Sequence, residues 1–347
     1  MMVFNTSAAE VLDRSLAQST HYALIRQLLY ALVGLLGAAL VWVVGYERLL
    51  VWSGPLLAVG TLFLILVFVP GIGQQINGAH RWIGFSSYTF QPSEFVKYLI
   101  PLYFIREITR ERKAMVLQEF FQLLMKLSVP IALILVEPDN GTVAVILMGL
   151  IVLLLLTRIR WVYWGLPLLI LLFGGIFAAS RMPHVPDRIR VYLNPESDLL
   201  GKGHQPHQAK IAAGCGGWFG RGAGQSLQKL DYLPEARSDY IAAIFAEEFG
   251  FVGMSCLIFL YMLIAYLGFA LAAAAKTRAA FYTITIFTFL LTFQAFLNLG
   301  VVSGLLPSKG INLPFFSCGG SSLVVSLMVL SLIVHAGSKG REEISYG

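Results

Sequence analysis

A chain of 347 residues that is 57% hydrophobic, only 13% charged and has a mean hydropathy of +0.74 carries more apolar surface than a water-soluble fold can cover, since soluble chains hold roughly a quarter charged residues. The net charge of +6 is small, and its basic residues fall between apolar runs instead of forming one face, which excludes a nucleic-acid partner. Cys215, Cys256 and Cys318 lack CxxC spacing and leave an odd count, so neither a disulfide framework nor a cysteine metal site is expected.

In chain order the apolar runs predict about nine membrane-spanning helices, each approaching the ~20 residues that cross a bilayer. Their cores are Leu24–Val44, Leu49–Val69, Pro92–Ile105, Leu123–Val136, Thr142–Thr157, Val162–Ala179, Tyr240–Ala273, Ala280–Leu305 and Ser321–Ala336. The third and fourth are short and contain Lys97 and Lys126. The run from Tyr240 is too long for one straight span, and Glu247, Glu248 and Gly250 predict a break within it. The fold class is therefore all-α, a polytopic membrane helix bundle forming one domain over residues 1–347, with one long extracytoplasmic loop at 181–239. Basic residues orient it. Arg106, Arg110, Arg112 and Lys113, then Arg158 and Arg160, Lys276 and Arg278, and finally Lys339 and Arg341 mark the cytoplasmic ends. The first residues, MMVFNTSAAEV, lack a basic region and a long apolar stretch and do not form a signal peptide. Nine spans put the N-terminus outside, and a missing first helix would restore an inside start.

Charged groups at membrane depth are costly and mark function by default. Glu94 and Lys97 lie three apart on the helix that starts at Pro92, on one face, where they pair with each other or anchor the helix start at the interface. As a functional pair, Lys97 would meet an anionic group of a substrate. Asp139 precedes the next helix and is either its N-cap or part of a polar cavity wall. The long loop combines Arg188 and Arg190, the run Gly214-Cys215-Gly216-Gly217-Trp218-Phe219-Gly220, and Leu233 to Asp239. Glycine-rich backbone with nearby Arg and Lys can clamp phosphate oxygens, and it can equally be a plain turn. Asp239 stands where the chain re-enters the membrane, a position suited to a general base or to an N-cap. The Pro-, Gly- and Ser-rich stretch from Leu306 to Ser322, with Lys309 and Ser321, is expected to be a non-helical outer loop that either lines a cavity or is buried in protein, or is a plain loop.

Taken in order, these motifs resemble the SEDS (shape, elongation, division and sporulation) family. The residues that carry the likeness are Gly78 to Ile83, Gln91-Pro92-Ser93-Glu94-Phe95-Val96-Lys97, Glu137-Pro138-Asp139-Asn140-Gly141-Thr142, Arg190 to Pro195, Gly214 to Gly224, Gln228-Lys229, Leu233 to Glu248, and Pro307 to Ser322. The resemblance implies a peptidoglycan glycosyltransferase that polymerises lipid II outside the bacterial cytoplasmic membrane. It also implies about ten spans with a cytoplasmic N-terminus, the first cut short here. The family pattern L-P-E-x-x-x-D gives the catalytic role to Asp239. Glu94, Lys97, Asp139, Arg190, Lys229, Glu235, Lys309 and Ser321 become the substrate-binding set. Implied partners are a class B penicillin-binding transpeptidase and other divisome or elongasome membrane proteins. No cofactor is evident in the residues, although a divalent cation such as Mg2+ or Mn2+ would suit a pyrophosphate leaving group. The sequence departs from the family at Arg237-Ser238, where His-Thr is common, and at Cys318, where Tyr is common. The start and the stretch Pro314 to Ser322 lean toward the septal members over the lateral ones. A lipid II flippase or a non-catalytic scaffold of the division complex are the competing expectations; the lack of a visible inverted repeat speaks against the first.

Overall fold

The computed structural model describes residues 22–76, 79–85, 88–110, 115–157, 159–169, 192, 198, 201, 203–228 and 238–342. Their elements are α1 (Tyr22–Val44), α2 (Tyr46–Leu66), β1 (Gly73–Ile76), β2 (Ala79–Phe85), β3 (Tyr88–Phe90), α3 (Pro92–Arg110), α4 (Leu117–Val136), α5 (Asn140–Leu156), α6 (His204–Cys215), α7 (Ile241–Ala273), α8 (Arg278–Val302) and α9 (Gly320–Glu342). Six of these, α1, α2, α4, α7, α8 and α9, are long and apolar enough to cross a membrane, and α5 is a shorter apolar helix. The chain is an integral membrane protein. Of the predicted span Val162–Ala179, residues 162–169 are helical and the remainder lies outside the described residues.

Two compact units divide the chain. Unit I comprises Tyr30–Trp164, Ile264–Thr292 and Gly320–Gly347; unit II comprises Met1–Leu29, Gly165–Leu263 and Phe293–Gly319. In unit I, α1 meets α9 through small residues. A Cβ on Gly34 would stand 2.7 Å from Leu327 Cδ1, and Ser331 Oγ donates to the Ala38 carbonyl at 2.7 Å. Lipid tails are as apolar as leucine, so helices in a bilayer associate by close backbone approach, which small residues permit. Gly60 against Val96 and Gly149 against Leu290 do the same for α2 with α3 and α5 with α8. Large apolar side chains such as Leu36, Val43 and Leu155 stay exposed on the outer faces, as acyl-chain contact requires.

The helical expectation holds with one addition: β1, β2 and β3 form a small three-stranded antiparallel sheet between α2 and α3. In the β1–β2 register Ile76 pairs with Ala79 and Gly73 with Ile83. The sheet carries Arg81, whose Nε and Nη2 donate to the carbonyls of Glu137 (2.9 Å) and Pro138 (2.8 Å) and so fix the α4–α5 turn.

In unit II the buried core is Ala209 and Ala212 of α6, Tyr240 to Ile244, Leu257, Ala295, Val301, Val302 and Leu313. The predicted break in the long seventh run is present, since Gly250 has φ 63 and ψ −160 and divides α7. Inside the predicted loop, α6 is an additional helix that the apolar-run reading passed over, because its sequence HQPHQAKIAAGC is too polar and too short to resemble a span.

Candidate functional site

In unit I, α3 begins at Pro92, and its first two turns carry Glu94 and Lys97 three residues apart. Lys97 Nζ donates to Glu94 Oε2 at 2.8 Å, and the two side chains are 2% and 7% exposed respectively. They are the buried pair expected from their spacing. A pair this deep is held by mutual neutralisation, because leaving either charge alone would cost several kcal/mol.

Asp139 is the N-cap of α5, one of its two expected roles, and it is also held in a buried polar network. Oδ1 accepts the Thr142 backbone N–H at 3.2 Å, capping α5, while Oδ2 accepts Ser93 Oγ at 3.1 Å and Gln91 Nε2 at 3.3 Å. Gln91 in turn donates its backbone N–H to Ser321 Oγ at 3.0 Å. All five residues are buried. The network ties the N-termini of α3, α5 and α9 together, each a positive dipole end. Gln91 and Ser93 were quoted only as part of a motif; their signal was polar side chains flanking a helix start in an apolar chain.

Glu137, two residues before Asp139, is fully buried, and neither carboxylate oxygen has a hydrogen-bond partner among the described residues. Burial first, and then the charge of Asp139, push its carboxyl up to about 8, against a smaller lowering by Arg81. At neutral pH it holds its proton.

In unit II, α7 starts at Ile241, which makes Tyr240 the N-cap position and puts Asp239 one residue outside it. Ala243 N–H accordingly bonds the Tyr240 carbonyl at 2.9 Å. Asn298 Nδ2 on α8 donates to the Asp239 carbonyl at 2.8 Å and to the Ile311 carbonyl at 2.6 Å. Ser317 Oγ donates to the Ser238 carbonyl at 2.6 Å and receives Leu313 N–H at 2.8 Å. One turn earlier on α8, Gln294 Nε2 holds the Asn312 carbonyl at 2.8 Å. Within the stretch 310–317 the carbonyls of Ile311, Asn312, Leu313 and Pro314 are bonded to protein, as non-helical backbone in a membrane protein requires. Gly310 packs against Asp239, since a Cβ there would stand 2.8 Å from Asp239 Oδ2 and the carboxylate end would have to shift. Lys309 lies next to it and is exposed. Burial, and then the charge of Asp239, raise the Tyr240 phenol above its usual range. Gln294 and Asn298 were missed. Two amides four apart in an apolar span were the signal.

The donors that follow the glycine-rich run, at residues 221–228, converge on a carboxylate of the chain itself. Glu247, 1% exposed, accepts Arg221 Nη1 (3.1 Å), Ser226 Oγ (2.5 Å), Leu227 N–H (3.2 Å) and Gln228 N–H (3.3 Å). The backbone around it closes the break in α7. Arg221 and Gly222 N–H bond the carbonyls of Glu247 and Glu248, while Phe251 and Val252 N–H bond the carbonyls of Gly217 and Trp218. These are the groups that two helix ends leave unpaired.

Glu94, Lys97, Asp139 and Ser321 thus belong to unit I, and Asp239 and Lys309 to unit II. Arg190, Lys229 and Glu235 lie outside the described residues. The unit I carboxyl groups are differently disposed: Glu94 is engaged by Lys97, Asp139 by three donors, and Glu137 is buried with its carboxyl pushed up to about 8. No group of three or more His, Cys, Asp or Glu that could hold a metal ion occurs among the described residues.

The model of the cell cycle protein family shared by FtsW, RodA and SpoVE matches residues 1–342. A probable peptidoglycan glycosyltransferase FtsW of Trichlorobacter lovleyi is 34% identical over 337 residues, covering 95% of this chain and 87% of the relative. Stage V sporulation protein E of Bacillus subtilis is 34% identical over 343 residues, covering 98% and 93%. Among solved structures, one described as structural coordination of polymerization and crosslinking by a peptidoglycan synthase complex matches with TM-score 0.76 at 28% identity, covering 98% of this chain and 97% of that one. The rod shape determining protein RodA of Thermus thermophilus matches with TM-score 0.67 at 28% identity, covering 97% and 93%. A membrane helix fold with its polar residues at helix starts, and a family match running nearly end to end, agree: the chain belongs to the FtsW, RodA and SpoVE family of cell cycle proteins.

Proposed function

We infer that the chain is a peptidoglycan glycosyltransferase that polymerises lipid II into glycan strands by inverting hexosyl transfer. Relatives covering almost its whole length bear that activity in their names. The observation that carries the site assignment is Asp239, a carboxylate just before the start of α7 whose backbone is clamped by Asn298 and whose oxygen rests on Gly310. In this reading Asp239 removes the proton from the acceptor sugar hydroxyl. The hydroxyl oxygen bonds the donor's anomeric carbon, the bond from that carbon to the pyrophosphate breaks with inversion, and undecaprenyl pyrophosphate leaves with the electron pair. The proton remains on Asp239. Within unit I, Lys97 is a buried cation suited to an anionic group of the substrate and is paired with Glu94 in the absence of one. A divalent cation would assist the same leaving group, but the described residues offer no donor set for one, and no step is routed through it.

The work belongs to the bacterial cytoplasmic membrane with Asp239 on the outer side, an orientation supported by Arg110 in the last turn of α3 and by Lys339 and Arg341 at the end of α9. A class B penicillin-binding transpeptidase is the expected partner, with other divisome or elongasome membrane proteins around it. The likeness to a synthase complex that couples polymerization to crosslinking supports this. Resemblance to proteins named FtsW favours a septal role. The test supplies labelled lipid II to the protein purified with its transpeptidase. Wild type makes glycan strands and Asp239→Asn makes none. Unchanged polymer from the variant overturns the assignment of the base, and lipid movement across vesicles without polymer overturns the activity.

A further inference from the structure

The break in α7 lies at a definite depth. The helix has 33 residues, about 50 Å at 1.5 Å per residue, whereas the hydrocarbon core is about 30 Å thick. Residues 251–273 alone make about 35 Å of helix and suffice to cross it. Gly250 therefore stands at a membrane boundary, where water cannot be relied on to satisfy the broken helix. The glycine-rich loop does so from both sides of the break, as described above.

The tip of the same loop has a different character. Trp218 is 69% exposed and Phe219 is 82% exposed, between glycines that leave them no cover. The Trp218 ring meets Phe251 edge-on at 5.2 Å. Phe251 and Val252 open the exposed apolar face of α7, which continues through Phe259 and Met262. In a membrane-spanning helix that face meets acyl chains. The aromatic tip is continuous with it at the level of its first turn. Arg221 is paired with the buried Glu247, so the neighbouring charge is already neutralised. We propose that residues 216–220 form a membrane-interface anchor, with Trp218 and Phe219 seated among the lipid headgroups and upper acyl chains beside α7. The occupant is the bilayer itself, and aromatic side chains are the ones that favour this boundary. Through the Glu247 cradle, the anchor sets the depth of the first turns of α7 and hence of Asp239. The inference rests on the membrane fold and does not depend on the glycosyltransferase reading.

The test uses the full chain in nanodiscs of phosphatidylethanolamine and phosphatidylglycerol. Phe219→Cys is placed in a background lacking Cys215, Cys256 and Cys318 and labelled with an environment-sensitive fluorophore; Met262→Cys serves as the deep reference. Emission blue-shifted from water is expected, with quenching by headgroup-proximal spin-labelled lipid several-fold stronger than by mid-chain label, and little quenching by aqueous iodide. Met262 should show the reverse lipid order. As a second measurement, a chain retaining Trp218 as sole tryptophan should be quenched by shallow brominated lipids. Iodide-accessible, lipid-insensitive signals at both positions overturn the proposal. So does protection from both iodide and lipid, which would mean that protein covers the tip.

Discussion

Glu247→Gln should unfasten the glycine-rich loop while leaving the chain folded. The wild-type carboxylate accepts four hydrogen bonds, two at each oxygen: Arg221 and Leu227 at Oε1, Ser226 and Gln228 at Oε2. An amide keeps one acceptor and turns the other into a donor that faces two donors. With its nitrogen toward Arg221 and Leu227 two bonds are lost, with its nitrogen toward Ser226, whose hydroxyl can accept, at least the Gln228 bond is lost, and in both cases the charge is gone. Hydrogen bonds to a charged group contribute about 1.5–3 kcal/mol each, but Arg221 is a third exposed, so its share is discounted toward the ~1 kcal/mol of a surface pair. A net loss of about 3 kcal/mol follows, roughly a hundredfold increase in the open population of the loop. Arg221 is itself a trypsin site, and cleavage tracks the open population when reclosing is fast. The assay is trypsin digestion in nanodiscs, with mass spectrometry following the bond after Arg221. Cleavage about a hundredfold faster than wild type is expected; a rate within twofold would refute the view that Glu247 occupies the anion position of this loop.

Gly310→Ala pushes a methyl group against Asp239 Oδ2; a carboxylate end can yield, so thermal stability should change by less than about 1 kcal/mol while kcat falls tenfold or more. Asn298→Ala strips two carbonyls of their donor and should cost about 2–4 kcal/mol in unfolding measurements, with kcat reduced more than KM. Lys97→Met leaves Glu94 buried and uncompensated, a loss on the order of 3–5 kcal/mol, and adding Glu94→Gln should restore stability without restoring polymerisation. Glu137 gives a pH signature. Its folded value of about 8 lies above the unfolded value, so the fold binds the extra proton, and the associated stability is full at acid pH and is lost as pH rises toward and through 8. Melting temperatures from pH 5 to 9 should fall more steeply for wild type than for Glu137→Gln; parallel curves would count against a buried neutral carboxyl.

Composition and run length alone made this a membrane helix bundle, because apolar stretches of bilayer length have few other fates. Span edges such as Tyr22–Val44 and Gly320–Glu342 fell close to the apolar cores read from sequence. The Glu94–Lys97 pair and the α5 cap at Asp139 were legible because helical spacing and capping are local rules. The break at Gly250 was visible too, as a run too long to be one span. What only the tertiary structure decided depends on partners distant in the chain. Asn298 reaches Asp239 across 59 residues and Gln91 reaches Ser321 across 230, and no local pattern encodes such bonds. The glycine-rich loop is the clearest case. Its sequence advertises donors for an anion but not which anion, and the fold supplies Glu247 from a helix broken at the right turn. Sequence fixes which groups must find partners; the packing of the chain decides which partners they find.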